Sequence, residues 1–212
     1  KPATGEELLP DWAVTKRAGV LIQADRTQSR SGQCSARITS TGPVACLVSR
    51  PFAAPNTGRL TMSVWLRVAE GAQQPPLRLA IEGRIEGRPY YRYAEVGALP
   101  AAKQAGQSSP LGAQEPPVTP IGSSWTQFVF AVDDLLLEGV SQVRVRFDLM
   151  GAGEVWVDDV QLFDLAFGEI ERRELAKLIT VAEYQLQTRR LAECARLLDG
   201  YWPRFLEAFV LL

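Results

Sequence analysis

Histidine is absent from all 212 residues of the chain. Histidine is the general base of Ser-His-Asp and Cys-His catalytic sites and the commonest metal ligand in proteins. Its absence therefore excludes those catalytic classes and every metal site that needs an imidazole. Carboxylate chemistry, metal binding by oxygen ligands and non-catalytic recognition remain open.

An excess of charge of one sign is also missing, since the formal net charge is -1. Without a basic surface the chain has no electrostatic basis for binding nucleic acid, and we predict no nucleic-acid partner. No apolar run of about twenty residues occurs, so we predict no transmembrane segment, and no signal peptide is visible. Because the chain begins with Lys1 rather than Met, we expect a processed product, an excised domain or an expressed fragment.

Cysteine is scarce, with only Cys34, Cys46 and Cys194 and no CxxC spacing. We expect the first two to lie on paired strands joined by a turn at residues 41–44. Cys46 would then lie opposite Thr39, and the two thiols would point to opposite faces. We therefore expect no disulfide between them, and all three cysteines resemble small buried apolar residues.

Strand patterns fill most of the chain, and hydrophobic residues make up 46% of it, enough to build a core. About nine short segments alternate apolar and polar residues with a period of two, which favours an antiparallel β-sandwich. They are predicted at residues 20–24, 34–40, 45–52, 59–69, 77–81, 90–94, 126–132, 143–149 and 154–163. For residues 97–124 we expect a flexible excursion, with a binding lid as the alternative.

From Gly168 onward the apolar spacing changes to three and four residues, which indicates helices. We predict an amphipathic helix through Leu186, a second helix at residues 191–198 that stops at Gly200, and a third short helix opening at Pro203. The tail, residues 167–212, is therefore a helical hairpin that must pack against something. The sandwich is the default partner, and a neighbouring domain or a second copy of the chain is the alternative.

One face of the predicted strands mixes aromatic rings with planar charged groups, a combination that suits sugars. If the strands share a sheet, one surface carries a tryptophan, a tyrosine (Tyr91 or its neighbours Tyr90 and Tyr93), arginines and acids. The predicted ligand-binding residues are Trp65, Arg67, Arg78, Glu82, Tyr91, Arg144, Arg146 and Asp148. The alternative is a set of weak cross-strand ion pairs, with Trp65 covered by the tail or by the long loop.

Four segments in order resemble galactose-binding-like jelly-roll carbohydrate-binding modules. They are residues 31–38 (SGQCSARI), 60–67 (LTMSVWLR), 125–128 (WTQF) and 154–162 (EVWVDDVQL). The resemblance spans residues 12–164. It implies an all-β fold, an antiparallel jelly-roll β-sandwich over residues 1–166. It also implies non-catalytic carbohydrate binding within a larger secreted or surface protein, hence an extracytoplasmic location.

The resemblance also implies a structural calcium ion, because such modules commonly carry one near the end of the closing strand. Asp158 and Asp159 match its usual acidic ligands, although the usual opening strand of these modules is not evident here. The alternative is that both acids accept hydrogen bonds from backbone amides at a β-bulge.

The leading function predicted from the sequence is therefore non-catalytic carbohydrate binding. The second is a structural or protein-interaction module that uses its helical tail to join a neighbouring domain or another copy. A third, a glycosidase acid and nucleophile formed by Glu82 and Asp148, has no support in their sequence context, so we predict no enzyme.

Overall fold

The computed structural model describes residues 9–85, 87–98, 118–135 and 138–210. The chain divides into two compact units, Lys1–Asp164 and Leu165–Leu212. Among the described residues, the elements of the first unit are strands and those of the second are helices. Most of the loop predicted at residues 97–124, as a flexible excursion or a lid, lies outside the described residues.

Two antiparallel sheets form the first unit. Within the described ranges the strands are β1 (Trp12–Val14), β2 (Val20–Asp25), β3 (Ser35–Ser40), β4 (Ala45–Ser49), β5 (Phe52–Ala53), β6 (Leu60–Arg67), β7 (Pro76–Ile85), β8 (Arg88–Gly97), β9 (Thr126–Val132), β10 (Gln142–Leu149) and β11 (Gly153–Phe163). The six-stranded sheet has the order β1-β4-β10-β7-β8, with β5 also paired to β10, and the five-stranded sheet has the order β2-β3-β11-β6-β9. The predicted antiparallel β-sandwich is confirmed.

The core lies between the two sheets and is supplied by every second residue of each strand. On β6 the alternate residues Leu60, Met62 and Val64 are buried, and on β10 Val143 and Phe147 are buried. Each such side chain contributes about 1.5–3 kcal/mol when fully buried. A slip of one residue in register would expose the whole set, so the period-two pattern fixes which side of each strand faces outward.

The predicted hairpin of residues 34–52 is wrong. Strand β3 belongs to the five-stranded sheet and β4 to the six-stranded sheet, so the turn at 41–44 crosses between sheets instead of joining paired strands. Cys46 therefore does not lie opposite Thr39; it lies opposite Asp148 of β10. Cys34, just before β3, and Cys46, on β4, are free thiols.

Two short strands, β1 and β5, were not predicted as separate strands from the sequence pattern. The segment predicted as one strand from Ala45 to Phe52 is two strands, because Arg50 and Pro51 interrupt it and proline has no N–H to donate to a ladder. Strand β1 has three residues, too few to show a period. It is anchored by Trp12, whose ring lies 5.8 Å from that of Phe147.

The repeated sequence IEGRIEGR forms the end of the β7–β8 hairpin, where Ile85 pairs with Arg88. Gly87, just before β8, has a φ of +83°, which glycine adopts without strain. Gly83 serves a different purpose. A Cβ atom there would lie 2.6 Å from Val140 Cγ1 and 2.7 Å from the carbonyl oxygen of Gln142, so glycine permits the close approach of the chain before β10.

The second unit contains three helices within the described ranges: α1 (Glu169–Gln187), α2 (Leu191–Leu198) and α3 (Tyr201–Phe209). The Gly168 N–H donates to the Glu171 carboxylate, which caps α1 at its first turn. The third helix begins at Tyr201 rather than at Pro203. Its aromatic residues pack on one another, with Trp202 and Phe205 5.9 Å apart between ring centres. Among the described residues, no helix is both long and apolar enough to cross a membrane.

Candidate ligand-binding face

Six of the eight predicted ligand-binding residues lie together on the six-stranded sheet. We call the side of this sheet turned away from the core the outer face. Cross-strand pairing places Glu82 of β7 opposite Arg144 of β10, and opposite Tyr91 of β8 on its other side. The outer face is formed by Arg78, Glu82 and Arg84 of β7, Tyr91, Tyr93 and Glu95 of β8, and Arg144, Arg146 and Asp148 of β10.

Arg146 is the centre of a hydrogen-bonded network on the outer face. Its Nε and one terminal nitrogen donate to the same Asp148 oxygen at 3.0 and 2.9 Å, and its other terminal nitrogen donates to Glu82. The Tyr91 hydroxyl donates to the second Asp148 oxygen at 2.8 Å. Asp148 is only 3% exposed, and such a buried carboxylate needs these donors to offset its lost hydration. One guanidinium therefore fixes side chains from three strands.

The pKa values of Arg146, Tyr91 and the neighbouring Cys46 are all shifted upward by this environment. Burial would lower the pKa of Arg146, but hydrogen bonds to Asp148 and Glu82 outweigh it and the pKa is raised. Burial, and then the charge of Asp148, raise the pKa of the Tyr91 hydroxyl well above its usual 10. Burial also raises the pKa of the Cys46 thiol, which lies 3.4 Å from Arg146. At neutral pH the tyrosine is thus a donor, the arginine is charged and the thiol is protonated.

A second cluster adjoins the first on the outer face. Arg78 donates through Nε to Glu95 at 3.1 Å, and its guanidinium lies 4.5 Å from the centre of the Tyr93 ring. The Tyr93 and Tyr91 rings are 5.5 Å apart and tilted by 39°. The two tyrosines therefore form a continuous aromatic strip along β8, held in place by arginines on β7 and β10.

A cavity of about 620 Å³ opens on the outer face beside the β7–β8 hairpin. Its lining includes Glu82, Arg84, Tyr91, Gln142 and Arg144. Its volume lies within the range of small-molecule sites in proteins, roughly 300–1,000 Å³. The cavity is therefore lined by three of the predicted ligand-binding residues: Glu82, Tyr91 and Arg144.

The other two predicted residues, Trp65 and Arg67, lie on the other sheet. Strand β6 belongs to the five-stranded sheet, so the condition that all these strands share one sheet is not met. The Arg30 guanidinium lies 3.8 Å from the centre of the Trp65 ring, which is half-buried. Arg67 donates through Nε to the Ser123 carbonyl at 2.7 Å, and it also bonds the side chain of Gln28. Trp65 and Arg67 are therefore not part of the outer face of the six-stranded sheet.

The loop of residues 26–34 covers this part of the five-stranded sheet. Next to it, the Trp156 Nε1–H donates to Asp25 at 2.9 Å, and the Thr27 hydroxyl and N–H donate to the other Asp25 oxygen at 2.6 and 2.8 Å. The bonds from Thr27 and Trp156 lower the pKa of Asp25 from 3.8 to about 2. The loop thus covers the five-stranded sheet around Trp65 and Arg67, whereas the outer face of the six-stranded sheet carries the cavity.

The predicted calcium ligands accept hydrogen bonds from the same loop. Asp158 accepts the N–H groups of Arg30 at 2.7 Å and of Asp159 at 2.7 Å, and Asp159 accepts from the Ser31 hydroxyl and from the Arg30 guanidinium. The pairing of β11 with β6 shifts register just after Asp158, so these acids lie at a bulge. The described residues contain no group of three or more acidic or thiol side chains able to hold a metal. Both carboxylates are engaged by these hydrogen bonds, which is the arrangement that the β-bulge alternative describes, and calcium binding by Asp158 and Asp159 stays an untested prediction.

Sequence reasoning missed several residues of the outer face. Tyr93 was named only as an alternative to Tyr91, yet both lie on the outer face, because they are two positions apart on one strand. The other alternative, Tyr90, points into the core and donates to Asp134. Arg84 continues the same alternation beyond Glu82. Gln142 had no signal, because its place depends on how the start of β10 meets the β7–β8 hairpin.

No known protein-family profile matches the chain, and no curated protein matches it. Among solved structures, the enzymatically active domain of tailspike protein 4 of bacteriophage CBA120 has a TM-score of 0.50 at 9% identity, covering 74% of this chain and 20% of that chain. The xylan-binding domain CBM22-1 of Xyn10C from Paenibacillus barcinonensis has a TM-score of 0.46 at 13% identity, covering 72% and 84%. TmCBM61, solved with β-1,4-galactotriose, has a TM-score of 0.41 at 12% identity, covering 75% and 93%. Solved structures similar to the chain thus include carbohydrate-binding modules, and the likeness concerns the fold alone.

Proposed function

We propose that the outer face of the six-stranded sheet binds carbohydrate without cleaving it. The observation that carries this proposal is the cavity of about 620 Å³ that Tyr91, Glu82 and Arg144 line together. A sugar ring has an apolar side that packs on an aromatic ring and a rim of hydroxyls that bond charged planar groups. The cavity offers both kinds of partner within one place.

The network of Arg146 supports this function because it fixes the side chains before a ligand arrives. Tyr91 is held by Asp148, and Glu82 is held by Arg146. Side chains that are already ordered lose little conformational entropy on binding, so more of the contact energy appears as affinity. The remaining acceptor capacity of Glu82 is then available to hydroxyl groups of a sugar.

The same network argues for binding rather than hydrolysis. A glycosidase needs one carboxyl group that gives up a proton and a second that attacks or activates water. Here Glu82 and Asp148 both accept hydrogen bonds from the one guanidinium of Arg146. Neither is placed as a proton donor, so we propose a non-catalytic module.

The experiment is affinity gel electrophoresis of the whole chain through a panel of soluble polysaccharides. We expect retardation by at least one of them. Tyr91→Ala should weaken it about tenfold through loss of the ring, whereas Tyr91→Phe should retain most of it. Trp65→Ala is the matched control, because that aromatic residue lies on the other sheet.

Three results would decide the question. Retardation by no polysaccharide would overturn the proposed function. Retardation that Trp65→Ala abolishes and Tyr91→Ala leaves intact would place the site on the five-stranded sheet instead. Melting temperatures of the three variants separate a loss of binding from a loss of fold.

We further propose that the chain is part of a larger protein and works outside the cytoplasm. The resemblance of four segments to modules of secreted and surface proteins supports this proposal. An antibody against the chain should detect a longer polypeptide in the extracytoplasmic fraction of its source cells. A band of about this chain's own 23.3 kDa in the cytoplasmic fraction would contradict it.

A second candidate function is self-association through the helical unit. Helix α1 has no buried residue over its 19 residues, and Ile170, Ile179, Tyr184 and Leu186 are exposed. Exposed apolar side chains in such number are typical of protein–protein contacts. We propose a second copy of the chain as the partner. Sedimentation equilibrium should show a dimer that Ile179→Glu dissociates, and a monomer at all concentrations would exclude it.

A further inference from the structure

We infer that the carbohydrate bound at the outer face carries negatively charged groups, either carboxylate or sulfate. This inference rests on the proposed function and adds to it the chemical class of the ligand. It comes from the guanidinium groups of the cavity lining, Arg84 and Arg144, which no acid of the described residues neutralises.

The charges of the outer face can be accounted for one by one. Glu95 is paired with Arg78 at 3.1 Å. Glu82 is paired with Arg146, which also holds Asp148. Within the described residues, the guanidinium groups of Arg84 and Arg144 form no hydrogen bond or ion pair, although both residues pair through their backbones with neighbouring strands. Among the described residues, Glu82 is therefore the single carboxylate of the cavity lining. Its ion pair is with Arg146, which lies outside that lining.

The two remaining arginines are close enough to act on one ligand. Arg144 lies directly opposite Glu82, and Arg84 follows Glu82 by two residues on the same side of β7. Arg84 and Arg144 are therefore diagonal neighbours on adjacent strands, a spacing of roughly 7–8 Å between backbones that long side chains bridge. Both side chains are exposed, and their guanidinium groups reach the same cavity.

Placing two like charges side by side is unfavourable unless an anion joins them. A carboxylate or a sulfate offers a pair of charged oxygens that can accept two parallel hydrogen bonds from one guanidinium. A neutral sugar would satisfy the tyrosine and Glu82 but leave the two cations facing each other. A sugar with an anionic substituent satisfies both parts of the cavity at once.

The test compares polysaccharides that share a backbone and differ in charge. Polygalacturonate is compared with its full methyl ester, and dextran sulfate with dextran, by affinity gel electrophoresis of the whole chain. We expect the charged member of at least one pair to bind more tightly by about tenfold or more, the factor that a charge-assisted hydrogen bond typically provides. The pair that shows the difference tells carboxylate from sulfate.

Variants connect the preference to the two arginines. Arg144→Gln and Arg84→Gln remove one charge each, and we expect each to reduce the preference several-fold. Arg26→Gln is the matched control, because this exposed arginine follows β2 of the other sheet. All three side chains are exposed, so the fold should survive, and equal melting temperatures verify that it does.

The outcomes separate this inference from the function on which it rests. Equal binding of charged and neutral chains would overturn the inference and leave carbohydrate binding intact. An equal loss with Arg26→Gln, or equal retardation by polyglutamate, would show attraction to any polyanion and would also overturn it. Binding of no polysaccharide would remove the proposed function and this inference together.

Discussion

Replacing Asp148 by asparagine tests the network on which the candidate site depends. The carboxylate is 3% exposed, accepts two hydrogen bonds from Arg146 and accepts one from the Tyr91 hydroxyl. Asparagine has nearly the same shape but no charge, and its amide group presents hydrogens where the carboxylate presented an acceptor. Asp148→Asn therefore removes the electrostatic attraction and leaves the space filled.

The expected cost follows from the bonds that change. A hydrogen bond to a charged group contributes about 1.5–3 kcal/mol, and asparagine retains at most one acceptor, in neutral form. We expect Asp148→Asn to lower the free energy of unfolding by about 3 kcal/mol, and Tyr91→Phe, which loses one bond, by about 1.5 kcal/mol. For a unit of this size, 3 kcal/mol corresponds to a fall in melting temperature of about 6–12 °C.

Differential scanning calorimetry and urea unfolding of the sandwich transition measure these quantities. Asp11→Asn is the matched control, because Asp11 forms an exposed ion pair with Arg50 in the same unit and should cost less than about 1 kcal/mol. Equal stability of the Asp148→Asn and Asp11→Asn proteins would refute the network as described. A carbohydrate affinity that survives Asp148→Asn unchanged would show that the network is not needed to prearrange the site.

Three further predictions concern the rest of the sandwich. Hydrogen bonds from Thr27 and Trp156 hold the pKa of Asp25 at about 2 rather than 3.8. The contribution of Asp25 to the free energy of unfolding is therefore complete above pH 4 and is lost as the pH falls toward 2. The shift in pKa corresponds to about 2 kcal/mol of stability. Asp25→Asn should therefore flatten the acidic part of the curve of unfolding free energy against pH. An unchanged curve would show that the hydrogen bonds to Asp25 do not stabilise the fold. Calcium or a chelator should leave the melting temperature unchanged, because Asp159 is already paired with a guanidinium; a rise with calcium that Asp159→Asn removes would restore the predicted metal site. Tyr90→Phe should lower the free energy of unfolding by about 1.5 kcal/mol in urea titrations, since its hydroxyl donates to a carboxylate in the loop after β9, and no change would exclude that bond.

Much of the candidate site was predictable because strand alternation is a local property. Glu82 and Arg78 share a side of β7, and Arg144, Arg146 and Asp148 share a side of β10, whatever the strands pair with. The pairing of these two strands then brought the two sets together. The same argument holds for the fold, since buried residues at every second position decide which side of a strand faces the core.

The choice of sheet was not predictable in the same way. Trp65 has the same alternation as Arg78, yet its strand joins the other sheet, because strand pairing depends on residues far apart in the chain. The hairpin expected at residues 34–52 failed for the same reason. The cover over Trp65 also depends on a long-range contact, because Arg30 reaches that ring only when the loop after β2 folds back across β11.

Gly83 determines how the proposed binding site can be redesigned. A side chain at that position would collide with Val140 and with the backbone of Gln142, both next to the cavity. We therefore expect substitutions at position 83 to disturb the fold rather than to produce proteins with a new ligand specificity. Productive diversity should be sought at Arg84, Gln142 and Arg144, whose side chains end in open space and can be exchanged while the β-sheet beneath them stays the same.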